Sequence, residues 1–235
     1  MTRPTARDPS RRVKPRMPRV ERQAQLLAIA QDLFAAQGFH HISMDDIAER
    51  AQVSKPILYR HFPSKLDLYL AVIDDRGQAL VDAVSDALVP VREPPLDPGA
   101  VVDGYDVVRA VVRAYVEFAE GSGVAASLLF ESDVTRDVIV RNRVEEPNRR
   151  NAELFAQVLI DITDLTPSQA LTVARTSTAM ARVAASHALP NDSGDGTDTA
   201  EPSTAEAADL IAQFAWRGIH GMLRRDGAND GSTSA

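Results

Sequence analysis

The chain has 235 residues, with 26 Lys and Arg against 33 Asp and Glu, a formal net charge of -7, and no cysteine. The missing thiols exclude a disulfide framework and a thiolate zinc site and point to a reducing, cytoplasmic setting. No stretch has the apolar length of a membrane span or the apolar centre of a secretory signal, so no membrane partner is expected.

The charge is divided unevenly along the chain. Residues 1–65 hold 12 basic against 6 acidic side chains, a net +6, while the remainder holds 14 against 27, a net -13. A basic head on an acidic body suits a protein that turns only one end toward a phosphate backbone. Residues 1–19 carry Arg3, Arg7, Arg11, Arg12, Lys14, Arg16 and Arg19 against Asp8 alone, with four prolines. They read as a disordered basic arm, which either tracks phosphates or the minor groove or only solvates the terminus.

From Val20 to Gln37, Leu26, Leu27, Ile29, Ala30, Leu33 and Phe34 return at helical spacing, and Gly38 stops the helix. Ser43 opens a second helix whose Ile47, Ala48 and Ala51 share a face, and Gln52 and Val53 make a turn. Ser54 caps a third helix, with Pro56 tolerated in its first turn. Leu58 and Phe62, four residues apart, are its expected anchors to the core. Lys55, Pro56, Tyr59 and Arg60 are then left outward, flanked by Ile57 and His61. A globular surface gains little from an exposed tyrosine beside an isoleucine. A major-groove reader uses both, on phosphate or sugar and on a thymine methyl. Phe62-Pro63 ends this helix, and Ser64 caps a long one reaching about Val89, with Lys65 in its first turn as an expected phosphate clamp.

Pro90 to Gly99 read as a loop, and further helices are expected over 101–120, 124–132, 135–163, 167–188 and 203–225. Pro147 should kink or divide the third of these. Pro190 to Pro202 read as an acidic loop, and residues 226–235 as a tail. With no strand alternation, the expected class is all-α: a three-helix helix-turn-helix head over 20–65 on a larger helical body over 66–225. The last two helices are rich in small residues that permit close approach, from Ala170 to Ala185 and from Ala205 to Ala215.

Ser43-Met44, Ile47-Ala48, Ala51, Val53-Ser54-Lys55, Leu58-Tyr59, His61-Phe62, Ser64-Lys65 and Leu68, at their spacing, closely resemble the TetR family of transcriptional regulators. The resemblance covers roughly residues 20–70. Pro56 and Ile57 depart from it, where glycine and a small polar residue are commoner, and this bears on which bases are chosen. It implies a homodimer on a near-palindromic double-stranded operator, contacted by Ser43, Ser54, Lys55, Pro56, Ile57, Tyr59, Arg60, His61 and Lys65. It also implies that the long helix links effector pocket to head, and that the last two helices form the dimer interface, with Phe214, Trp216 and Met222 placed there.

The apolar residues of the middle helices, Tyr105, Val112, Tyr115, Phe118, Leu129, Phe130, Phe155, Leu159 and Met180, read as core from spacing alone and as effector contacts from the resemblance. Leu128 to Asp133 and Gln213 to Trp216 are similar to a branch that governs fatty-acid synthesis and senses long acyl-CoA, which implies a small lipophilic effector. No Gly-rich phosphate loop, nucleophile elbow or metal-spaced histidine pair is present, so neither a cofactor nor an enzymatic activity is expected. The expectation is a ligand-responsive repressor; the rival is an apolar-ligand carrier that keeps the head only as a structural cap.

Overall fold

The structure is a computed structural model and describes residues 17–92, 103–130, 137–189 and 203–223. Among these, every regular element is helical: α1 (Arg19–His41), α2 (Met44–Arg50), α3 (Lys55–His61), α4 (Lys65–Arg92), α5 (Gly104–Ser122), a 3-10 turn (Gly123–Ala126), α6 (Ser127–Phe130), α7 (Val138–Ile162), α8 (Pro167–His187) and α9 (Thr204–Leu223). The expected all-α class is what forms. Residues 1–16 of the basic arm, most of the proline-rich loop, the acidic loop and the tail lie outside the described residues.

Local chemistry sets most helix ends. Gly38 takes φ 77° and ψ 163°, which a Cβ would hinder, and interrupts α1 at the expected stop before a last helical stretch to His41. Asp103, Asp137 and Thr166 accept hydrogen bonds from first-turn amides of α5, α7 and α8. Two prolines lie inside helices. Pro90 lies inside α4, which runs on to Arg92; it gives up one bond, to the carbonyl of Asp86, in the last turns only. Pro147 lies inside α7, which continues as a single helix from 138 to 162. Its ring is buried against Gly77 of α4, and that packing offsets the missing helical bond.

One continuous apolar core joins head to body. Leu26, Ala30 and Phe34 of α1 are buried, and the Phe34 ring meets Tyr69 of α4 edge-on with centroids 5.1 Å apart. The core runs on through Ile73, Leu80, Val84 and Leu88 of α4 to Val108 and Tyr115 of α5 and Phe155 and Leu159 of α7. α5 packs on α4, α8 and α9, while α1 also touches the 3-10 turn and α6, so the head rests directly on the body. The small residues of α8 and α9, among them Ala170, Ala174, Ala181, Ala208 and Ala212, are fully or almost fully buried inside the chain, where they let these helices close on their neighbours.

Candidate nucleic-acid interface

The Ser43 hydroxyl accepts from the Asp46 amide at 3.2 Å, and the Asp46 carboxylate accepts from the Ser43 amide at 2.8 Å. This capping box starts α2, and the hydrogen bonds from Ser43 hold the Asp46 carboxyl below its ordinary range. Met44, Ile47 and Ala48 face the core. The turn follows with Gln52 at φ 53°, a left-handed position uncommon outside glycine, while the Val53 amide donates to the Ala48 carbonyl at 3.0 Å.

Ser54 stands at the cap position of α3, but its side chain makes no capping bond; its carbonyl accepts from the Ile57 amide instead. Leu58 is 0% and Phe62 4% exposed, which pins one side of the short α3 to the core. That fixation turns Lys55, Pro56, Tyr59 and Arg60 outward, with Tyr59 46% exposed, and leaves Ile57 and His61 half-buried at the flanks. Ser43, Asp45, Tyr59, Lys65, His40 and His41 line a shallow hollow of about 440 Å³, where α1, α2, α3 and α4 converge.

Two of the charged groups are engaged, and a titratable neighbour is enclosed. Lys55 Nζ donates to Asp45 Oδ2 at 2.6 Å in an exposed pair that raises the lysine pKa. Water-exposed pairs of this kind exchange partners readily, so a phosphate competes for the same ammonium. Lys65 differs from the expected clamp: its Nζ donates to the carbonyls of Phe39 and Ile42, both at 2.8 Å, and stands 4.2 Å from the Phe39 ring centroid. Two of its three protons thus fasten the α1–α2 connection to α4 and one remains for a duplex. His61 has Nδ1 enclosed without a hydrogen-bond partner, and burial, then Arg19, Arg60 and Arg22, push its pKa down. At neutral pH the ring is therefore uncharged in the free protein rather than a cation. Arg22, which helical spacing alone did not single out, belongs with this cluster because the start of α1 lies beside the end of α3.

In the body, Val112, Tyr115, Leu129, Phe155 and Leu159 are buried in the core, and Tyr105, Phe118 and Phe130 pack half-buried against it. The Tyr115 hydroxyl donates to Asn148 Oδ1 at 3.0 Å and accepts from Asn151 Nδ2 at 3.1 Å. Burial raises the tyrosine pKa, so it stays a hydroxyl. Asn151 Oδ1 is enclosed with no partner. Met180, expected among the effector contacts, lines an apolar groove of about 710 Å³ between α8 and α9, with Val173, Leu210, Phe214 and Ile219. Trp216, expected at a dimer face, is half-buried and packs on Gly104 of α5, where a Cβ would overlap its ring. The Met222 side chain lies outside the description.

The family model described as bacterial regulatory proteins, tetR family, matches residues 26–72, the stretch that builds this interface. Over 204 residues the chain is 33% identical to the HTH-type transcriptional activator FasR of Mycolicibacterium smegmatis, covering 87% of this chain and 85% of the relative. The chain belongs to the TetR family. As a TetR-family protein it is a DNA-binding transcriptional regulator. A TetR-like regulator from Rhodococcus sp. RHA1 superposes with a TM-score of 0.61 at 27% identity, covering 88% of this chain and all of the other. FadR from Bacillus subtilis, solved in complex with stearoyl-CoA, shares the fold with a TM-score of 0.63 at 12% identity, covering 84% and 99%. Among the described residues, no helix of this TetR-family chain is long and apolar enough to cross a membrane, and no group of three His, Asp or Glu is placed to hold a metal ion.

Proposed function

We propose that this regulator grips a two-half-site operator as a homodimer and that an elongated lipophilic effector, an acyl-CoA, sets its operator affinity. The observation that carries the DNA reading is the division of α3: Leu58 and Phe62 are anchored inside, so Lys55, Pro56, Tyr59 and Arg60 point away from the core together. Ser43, Ser54 and Lys65 flank that face, with Ile57 at its edge for an apolar base contact and His61 and Arg22 at its far end for the backbone.

Dimerisation is supported by the α8–α9 surface. Leu210 and Phe214, 62% and 71% exposed, line an apolar groove, and Val183 of α8 is 52% exposed, an unfavourable arrangement in a monomer and a suitable one for a second copy. Phe214→Asp is expected to yield monomers in sedimentation; an unchanged dimer would remove this face from the interface. The acyl-CoA reading draws on FadR being solved with stearoyl-CoA and on the apolar middle helices. An effector changes operator affinity only through unequal binding to the DNA-competent and incompetent arrangements.

Repression was the expectation from the family resemblance, but the near-full-length relative is named an activator, and this favours activation. The deciding experiment selects bound fragments from the source genome, then measures binding with stearoyl-CoA, a short acyl-CoA and free CoA, and transcription from the selected promoter. Salt-sensitive, sequence-selective binding that responds to the long acyl chain supports the proposal. Acyl-CoA binding without any selective duplex binding supports the carrier instead.

A further inference from the structure

Gly77 stands in the middle of α4, where helix interiors select against glycine, and it is buried. Its φ is not positive, so backbone freedom is not the reason for it. A Cβ built on Gly77 overlaps Pro147 Cγ, with Pro147 Cβ and Cδ at 3.5 and 3.6 Å. Pro147 is itself buried in the middle of α7, and its ring has no rotamer by which to swing aside. Polar ties flank the contact: Asp74 pairs with Arg143, and Gln78 Oε1 accepts from Arg150 Nη1 at 2.8 Å. Residues 74, 77 and 78 of α4 are thereby fixed against 143, 147 and 150 of α7 at a point of direct backbone-to-ring approach.

From this point α4 runs twelve residues, about 18 Å, back to Lys65. There the ammonium is fastened to Phe39 and Ile42, so a tilt of α4 carries the head with it. In the other direction α4 buries Leu88 and packs on α5. We propose that the Gly77–Pro147 contact sets the distance between the two reading helices of the dimer, which makes Gly77 a positioning residue for operator half-site spacing; this rests on the dimeric DNA-binding reading above.

The size of the effect follows from the geometry. Carbon atoms need about 3.5 Å or more between them, so a methyl at position 77 parts the helices by roughly 1 Å. With α4 held near Leu88, about 16 Å beyond Gly77, that parting moves Lys65 by about 2 Å. Two heads then change their separation by up to about 4 Å, near the rise of one base pair, about 3.4 Å.

The absence of cysteine allows a single spin label per protomer at Glu49→Cys, on the exposed side of α2. The label-to-label distance is measured without DNA in the parent, Gly77→Ala, Pro147→Ala and the double variant. Binding is then measured on duplexes selected by the parent from a randomised pool, with the central spacer changed by one and two base pairs. Gly77→Ala is expected to shift the distance by several ångströms and the best spacer by one base pair, and Pro147→Ala in the double variant to restore both. Pro147→Ala alone, which regains a helical hydrogen bond as it removes the ring, moves the distance in the opposite sense. A parental distance and a parental optimum in Pro147→Ala, and in folded Gly77→Ala, overturn the inference. Binding lost equally at all spacers makes Gly77 only structural and overturns it too. A parent that shows no label pair fails the dimer reading and takes the inference with it. A shifting distance with no selective duplex binding fails the DNA reading and the assignment to half-site spacing, while the pivot itself stands.

Discussion

Replacing Lys65 with Met keeps the aliphatic stem over the Phe39 ring and removes the ammonium that donates to the Phe39 and Ile42 carbonyls. Hydrogen bonds from a charged donor contribute about 1.5–3 kcal/mol each, and a cation over a ring about 0.5–1 kcal/mol. Lys65 is only half-buried, so water replaces part of this at both carbonyls and screens the charge. A net loss of about 2 kcal/mol remains after that discount. With a urea dependence of about 2 kcal/mol per molar, the unfolding midpoint falls by about 1 M, measured at one protein concentration because assembly couples to folding. Operator affinity then drops as a consequence, since the α1–α2 connection is no longer fastened to α4. A variant that unfolds at the parental urea concentration and still loses its DNA would refute this and return Lys65 to the phosphate role first expected for it.

Tyr59→Ala is expected to weaken binding to selected duplexes by about tenfold or more, with little change in stability because the ring is exposed; fluorescence anisotropy and urea unfolding separate the two, and equal losses in both would count against a contact role. Tyr115→Phe leaves the buried Asn151 Nδ2 and the half-buried Asn148 Oδ1 without their hydroxyl partner, a loss of about 1–3 kcal/mol, readable as a lower urea midpoint. His61 has a folded pKa below the ordinary 6.5, so below that pH the unfolded chain takes up the proton first. Stability should therefore fall as pH drops from 6.5 toward the folded pKa, and a His61→Gln variant should flatten that slope. The imidazole titration followed by NMR gives the sign directly: a midpoint at or above 6.5 contradicts the assigned burial.

The parts of the head that depend on neighbours in sequence were legible. The helix start at Ser43, the stop at Gly38 and the anchors Leu58 and Phe62 all follow from local spacing and from the chemistry of helix ends, whereas the return bond from Asp46 was not singled out. What sequence hid depends on which helices meet. Lys65 sits at a helix start, where phosphates are commonly held, but its partners are carbonyls 23 and 26 residues earlier. Trp216 and Phe214 are neighbours on α9, yet one packs on Gly104 and the other is exposed; helical phase distinguishes them only once the position of α5 is known. Pro147 reads as a breaker in isolation and is instead accommodated, because Gly77 seventy residues away makes room for its ring. Tyr115 and its asparagines looked like one aromatic among many, and only the fold reveals that its hydroxyl bridges two amides.

The carboxylate of Asp45, set against Lys55 on the outward side of the head, has a bearing on selectivity. A basic surface with no acid in it would cling to any stretch of chromosome. Under the proposed DNA reading, each encounter draws the lysine off a nearby anion and leaves a negative charge beside the duplex, and a sequence that also engages Tyr59 and Arg60 offsets that repulsion best. On that reading the acid weakens casual adhesion more than recognition, widening the contrast between the intended sequence and the vast excess of others.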